Sequence, residues 1–218
     1  KNPAILLHVD AIQAYGKLVI HPKKQGIDLL SVSAHKFHGP KGVGFLFIDE
    51  RVKIRPLLYG GGQQKDLRSG TENVPGIAGL GVAAEEMYTG HQEKMEHITS
   101  LKDHMIDRMA GLEGVTVNSL KGNLSAPQVV SASFAGVRSE VLLHALEERG
   151  ICVSSGSACS SNKKLPVSTV LKEMKLENSL LESTVRFSFS VFTTEEEIDY
   201  CLEQLRELLP LLRRFTRR

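Results

Sequence analysis

Apolar and polar positions follow two regimes along this chain. In the first third, compact apolar runs at 4–9, 28–34 and 43–48 predict buried strands. Residues 11–15 offer a short helical turn between the first two, as a crossover between parallel strands requires. The run from Gly42 to Ile48 turns back and is expected to pair antiparallel. Residues 56–73 are polar and glycine-rich and predict a long loop, a length that usually serves function. Small residues from Val74 to Tyr88 predict a closely packing helix.

A second regime opens with an amphipathic helix over 91–110, where Ile98, Leu101, Met105 and Met109 recur at helical steps. Strands are predicted at 115–120 and 129–134, then a helix over 139–149 with Ser139 as N-cap and Gly150 as its stop. Ile151-Cys152-Val153 reads as a short strand. Over 186–192, Phe187, Phe189 and Val191 alternate with Arg186, Ser188 and Ser190, the period of a half-buried strand. Thr193-Thr194-Glu195-Glu196-Glu197 offers a capping box into a last helix, which Pro210 is expected to interrupt. The fold class is therefore α/β. Residues 1–90 read as an α/β domain and residues 91–218 as an α+β domain.

Composition changes this picture little. With 218 residues the chain can bury a good core; it is 41% hydrophobic and 24% charged. A net charge of +2 gives no reason to expect nucleic acid or membrane binding. The basic tail from Leu212 to Arg218 suits a solvated helix end. No apolar run approaches the roughly 20 residues that span a bilayer, and no signal peptide is visible. Three cysteines at 152, 159 and 201 have no metal-ligand spacing and do not suit a disulfide framework. A reducing, cytoplasmic setting and no metal are expected. The chain opens at Lys1 without methionine, so a piece of a longer protein is expected.

The chemistry lies at strand ends. Lys36 follows the second strand, within Ser33-Ala34-His35-Lys36-Phe37-His38-Gly39-Pro40-Lys41-Gly42. A lysine held among small residues can lose solvation and serve as a Schiff-base amine; the alternative is a surface lysine in a polar loop. Asp10 closes the first strand in His8-Val9-Asp10-Ala11-Ile12-Gln13. A buried carboxylate there needs a cationic partner, such as a protonated pyridine nitrogen; the alternative is a helix cap. Two parallel strand ends can aim both groups into one crevice. Cys159 stands in Ser154-Ser155-Gly156-Ser157-Ala158-Cys159-Ser160-Ser161, where no large side chain shields the sulfur. Lys163 and Lys164 follow and could favour thiolate, whereas Cys152 and Cys201 read as buried structural cysteines. Arg186, off the Phe187 and Phe189 face, could grip a carboxylate or serve as an ordinary surface arginine.

Five ordered motifs, HVDAIQAYGK, SVSAHKFHGPKGVG, GGGQQKDLRSGTEN, SSGSACSS and RFSFSVFTTEEEID, resemble the pyridoxal-phosphate-dependent cysteine desulfurases of the NifS/IscS type. The resemblance spans the whole chain but only the C-terminal half of a usual member. It implies a fold type I large domain, with mixed, mostly parallel sheet and helices, followed by a small C-terminal domain carrying the thiol loop. Lys36 would carry the cofactor pyridoxal 5'-phosphate covalently and later move protons. Asp10 would pair with the pyridine nitrogen and Gln13 with the phenolic oxygen. Ser33 and His35 would hold the phosphate, and Thr71 would reach the phosphate of the partner subunit in a homodimer. Arg186 would bind the carboxylate of substrate L-cysteine. Cys159 would take its sulfur as a persulfide, releasing L-alanine, for a sulfur-acceptor or scaffold protein in iron–sulfur cluster assembly or tRNA thiolation.

Two positions depart from the family pattern: Val191 where many members carry arginine, and Gln64 in place of a common glutamate. The family's N-terminal half supplies a phosphate-binding loop and a ring-stacking histidine; neither precedes Asp10. This chain alone is therefore expected to bind the cofactor weakly or not at all, and to turn over poorly. Competing readings are a selenocysteine lyase or aminotransferase-like relative, and a non-catalytic module binding a sulfur-acceptor partner. A dinucleotide-binding reading fails because no glycine-bearing helix follows GVGFLF.

Overall fold

The computed structural model describes residues 5–155 and 168–215. Two compact units divide at Gln92–Glu93.

The first unit is built on strands β1 (His8–Asp10), β2 (Leu29–Ser33) and β3 (Gly44–Ile48), with helices α1 (Pro22–Gln25) and α2 (Val74–Tyr88). β1 runs parallel to β2, with Asp10 opposite Ser31. β3 returns antiparallel, with Gly44 opposite Ser33. This is the expected mixed α/β arrangement. The first strand begins later than the apolar run suggests: the exposed Leu7 accepts the Asp28 and Leu29 N–H groups and donates its own N–H to the Asp28 carboxylate, and pairing in register with β2 starts at His8. Apolarity had marked the run, but hydrogen-bonding partners set the strand.

Register separates the two faces of this sheet. Leu30 and Val32 are buried on one face, near the buried Phe37. Tyr15 packs there against Phe37, Phe45 and Tyr88 at centroid distances of 5.0, 5.3 and 5.4 Å. The other face carries His8, Asp10, Ser31 and Ser33, exposed or half-buried. Gly44 is dictated by the pairing: a Cβ there would stand 2.3 Å from the Val32 carbonyl oxygen. As expected, residues 56–73 form no helix or multi-residue strand.

The second unit contains most of α3 (His91–Met109), then β4 (Val115–Val117), β5 (Val129–Phe134), α4 (Ser139–Glu147), β6 (Ser154–Ser155), α5 (Thr169–Glu173), α6 (Asn178–Leu181), β7 (Thr184–Ser188) and α7 (Glu195–Arg214). Its antiparallel sheet has the order β4-β5-β7-β6. One core gathers Ile98, Leu101, Met105 and Met109 of α3 with Phe134, Leu142, Phe187 and Leu202. Phe134 and Phe187 meet edge to face at 6.2 Å. The apolar stripe read on 91–110 is therefore the core-facing side of α3.

Five local expectations need correction. The strand near 151–153 lies instead at Ser154–Ser155, the residues that pair with Arg186 and Val185. Ser139 begins α4 rather than capping it: Arg138 is the cap residue, and the Ser139 N–H donates to the Glu182 carbonyl. The strand expected from 186 is shifted to Thr184–Ser188, where β5 is available to pair. Pro210 does not interrupt α7, which runs through it to Arg214. Buried Leu205, Leu208 and Leu209 anchor the turns around the proline, and packing outweighs one lost backbone bond. The capping box forms as read: the Glu197 N–H donates to Thr194 Oγ1 at 3.3 Å, and the Thr194 N–H to Glu197 Oε2 at 3.0 Å. α4 ends before the expected stop, at Glu147 with Glu148 as its cap, and Gly150, at φ 76°, follows in the turn.

Candidate active site

Lys36 stands on a 3-10 turn, Ala34–Phe37, that leaves β2 directly. Ala34 and Phe37 are fully buried and face inward three residues apart; His35 is exposed and Lys36 half-buried. The Ala34 N–H donates to the Val43 carbonyl at 3.0 Å, and the Gly39 N–H to the Ala34 carbonyl at 2.9 Å. A Cβ on Gly39 would lie 2.8 Å from the Ala34 Cβ, so the turn closes only around a residue without one.

Asp10 ends β1 beside this turn's parent strand. It is exposed, contrary to the buried carboxylate expected, because it lies on the polar face of the sheet. Its Oδ1 accepts the Ile12 N–H at 3.0 Å, but no helix starts near Ala11, so this bond closes a turn and the helix-cap alternative does not hold. Parallel pairing still brings the two groups to one place in the topology. Asp10 and the turn bearing Lys36 both lie at the C-terminal edge of adjacent parallel strands.

The Ser33 hydroxyl and His35 Nδ1 are hydrogen-bonded at 2.8 Å, a polar pair next to Lys36. His8 Nε2 and the Ser31 hydroxyl pair at 2.7 Å on the same face. Gln13 lies exposed in the turn after β1, and Thr71 exposed in the loop before α2.

Sequence reading missed Lys17. Its ammonium donates to the Lys36 carbonyl at 2.6 Å. Burial, and then the charge of Lys36, hold the Lys17 ammonium below the ordinary lysine range. Burial and the Lys17 charge likewise lower His38. Burial, and then Tyr88, raise the Tyr15 phenol. Lys17 ends the first quoted motif, but no periodicity or spacing distinguishes it from a solvated lysine.

In the second unit, Arg186 lies half-buried on the polar face of β7, opposite Ser131 of β5 and Ser154 of β6. One terminal nitrogen donates to the Ser154 hydroxyl at 3.3 Å, and its Nε is buried with no partner among the described residues. An unpaired buried donor is costly, so the guanidinium is poised for an acceptor. Asn118, Ser133 and Thr184 extend this polar face, the two hydroxyls bonding at 2.7 Å.

Cys159, Lys163 and Lys164 lie outside the described residues. Cys201 is buried as expected, and burial pushes its thiol up to about 12. Cys152, expected to be buried, is exposed: its neighbours Ile151 and Val153 turn toward the core. Elsewhere, His104 bridges two carboxylates of α7, with Nε2 2.8 Å from Asp199 and Nδ1 3.9 Å from Glu195.

The strand edge of the first unit offers a carboxylate, an amine and a hydroxyl–imidazole pair on short connections. That donor set suits a phosphorylated pyridine aldehyde: the carboxylate for a protonated ring nitrogen, the amine for the aldehyde, the polar pair for the phosphate.

The aminotransferase class-V family model matches residues 1–201. A cysteine desulfurase IscS of Dictyoglomus turgidum is 40% identical over 214 residues, covering 98% of this chain and 54% of that protein. A mitochondrial cysteine desulfurase of Eremothecium gossypii is 41% identical, covering 97% of this chain and 43% of that protein. Among solved structures, a NifS-like protein superimposes with a TM-score of 0.88 at 38% identity, over 97% of this chain and 54% of that one. A NifS-like protein from Rickettsia africae gives 0.83 at 28% identity, over 94% and 54%. The chain thus spans about half the length of the curated relatives it matches.

Proposed function

The chain belongs to the aminotransferase class-V family, and from that premise we propose that it is the C-terminal portion of a pyridoxal-phosphate-dependent cysteine desulfurase. The observation that carries this reading is the placement of Asp10 and the Lys36 turn at one edge of a parallel strand pair, beside the Ser33–His35 pair. The similarity to proteins named cysteine desulfurase supports the substrate.

In this reading, Asp10 keeps the ring nitrogen protonated, Gln13 faces the phenolic oxygen, and Ser33 with His35 holds the phosphate. Bound there, pyridoxal phosphate supplies an electron sink for carbon next to the substrate amine. Lys36 anchors the cofactor and moves the proton at that carbon. Arg186, with its unpaired Nε, holds the L-cysteine carboxylate. The Cys159 thiolate attacks the substrate sulfur. The carbon–sulfur bond breaks, a sulfur–sulfur bond forms on Cys159, and the carbon takes a proton to leave as L-alanine. The persulfide then passes to a sulfur-acceptor or scaffold protein for iron–sulfur cluster assembly or tRNA thiolation. Thr71 serves the phosphate of a second subunit in a homodimer, and the setting is the cytoplasm. No helix among the described residues is long and apolar enough to cross a membrane.

The half-length match supports a further part of the reading: this chain alone binds the cofactor weakly and turns over slowly. The test is product analysis with L-cysteine in the protein supplied with the region equivalent to the rest of its relatives. L-alanine and a persulfide on Cys159, the latter lost in Cys159→Ser, are expected. A keto acid product would move the assignment to an aminotransferase, and persulfide formation surviving Cys159→Ser would remove the thiol from its role.

A further inference from the structure

Three consecutive residues of the turn after β1 close on the lysine turn. Tyr15 packs its ring, tilted by 58°, against Phe37 at 5.0 Å. Gly16, at φ 78°, fits where a Cβ would come 3.1 Å from the Phe37 Cβ. Lys17 reaches past them and donates its ammonium to the Lys36 carbonyl at 2.6 Å. The grip is braced from α2: the Gly16 N–H donates to the Tyr88 hydroxyl, and that hydroxyl donates to the Leu18 carbonyl, each at 3.2 Å. A half-buried ammonium on a backbone carbonyl is a strong, charge-assisted bond, and its acceptor belongs to the residue whose side chain matters most. The exposed surface of this unit carries many lysines that could have stayed in water. Lys17 instead bears the desolvation that lowers its titration, with Lys36 and His38 as the other basic groups in its field.

We propose that Lys17 is the positioning residue of the lysine turn: its ammonium ties down the backbone at Lys36 and thereby fixes where the Lys36 amine stands. This rests on the cofactor reading only for its consequence; the tie itself is a property of this chain. Without the ammonium, the turn keeps the Phe37 anchor but loses the constraint on the lysine carbonyl. Lys36 then samples more orientations, and fewer of them meet an aldehyde correctly.

Two readouts separate the parts. The first is amide hydrogen exchange of the turn in the cofactor-free chain, with β5 amides as an internal control. Lys17→Met should speed exchange at the Gly39 amide by about tenfold, the scale of one charge-assisted bond. Lys17→Arg, which keeps charge and donors, should restore most of the protection. Should Lys17→Met fail to fold, Lys17→Gln keeps a donor without the charge and should fall between the two. Unchanged Gly39 exchange in the uncharged variant would overturn the proposal. The second readout is the amount of pyridoxal phosphate trapped on Lys36 by borohydride, mapped by mass spectrometry. It should drop severalfold in Lys17→Met and recover in Lys17→Arg. Faster exchange with no Lys36 adduct, even in the unsubstituted protein supplied with the region equivalent to the rest of its relatives, would uphold the positioning role and sink the cofactor reading. Equal adduct in all variants with unchanged exchange would do the reverse.

Discussion

Cys201 is sealed against the core by α7, and that burial separates it from Cys152 on the surface. Iodoacetamide should therefore modify Cys152 in the folded chain and leave Cys201 intact until denaturation; mass mapping after a short pulse checks this, and early Cys201 labelling would contradict the burial. The raised thiol also sets a sign for alkaline stability. Because the folded state keeps its proton from 9.0 to about 12, the contribution is full below that window and is lost as pH rises through it. Asp199 behaves in the opposite sense: a hydrogen bond from His104 leads the causes that lower its carboxyl. Its contribution is present above the ordinary carboxylate range and fades as pH falls through the lowered value; NMR titration should show the carboxyl rising toward normal in His104→Ala. At this scale, the strand-end placement of Lys36 and Asp10 was legible because a charged residue closing an apolar run stands out. Lys17 was not, because its meaning is a bond to the backbone of a residue 19 positions away.

Among the elements, the longer ones were found nearly to the residue: the helix read over 91–110 is His91–Met109. The stretches 129–134 and 74–88 match β5 and α2 in their full extent. Short strands were misplaced because pairing, not apolarity, decides their ends: Ser154 and Ser155 are strand only because β7 lies beside them. Pro210 misled for a related reason, since the core contacts of α7 outweigh its local cost. Gly44 tests the strand pairing behind the lysine turn. A methyl group there meets the Val32 carbonyl at 2.3 Å, so Gly44→Ala should destabilise the first unit by about 1–3 kcal/mol in urea unfolding, with the Gly39 turn loosened in parallel. A neutral substitution would mean that β2 and β3 part more easily than their register suggests.

For the whole molecule, the buried apolar core of the second unit runs from Ile98 to Leu209, with Met95 and Leu212 packed against it. A chain of residues 93–218 should therefore fold alone and melt cooperatively, and Phe134→Ala should cost it about 3–5 kcal/mol. A broad, non-cooperative melt would contradict that independence. The fold class and the family were readable from ordered motifs. The exposed state of Asp10 was not, since it depends on which face of β1 lies open, a matter of register that one sequence does not display. In the proposed reading, Asp10 and Lys36 serve the same ring. Borohydride reduction with saturating pyridoxal phosphate, in the protein supplied with the region equivalent to the rest of its relatives and followed by peptide mapping, tests it most directly. The prediction is one dominant adduct on Lys36, with the cofactor concentration needed rising about tenfold in Asp10→Asn. Adducts scattered over surface lysines, or a Lys36 adduct indifferent to Asp10, would contradict it.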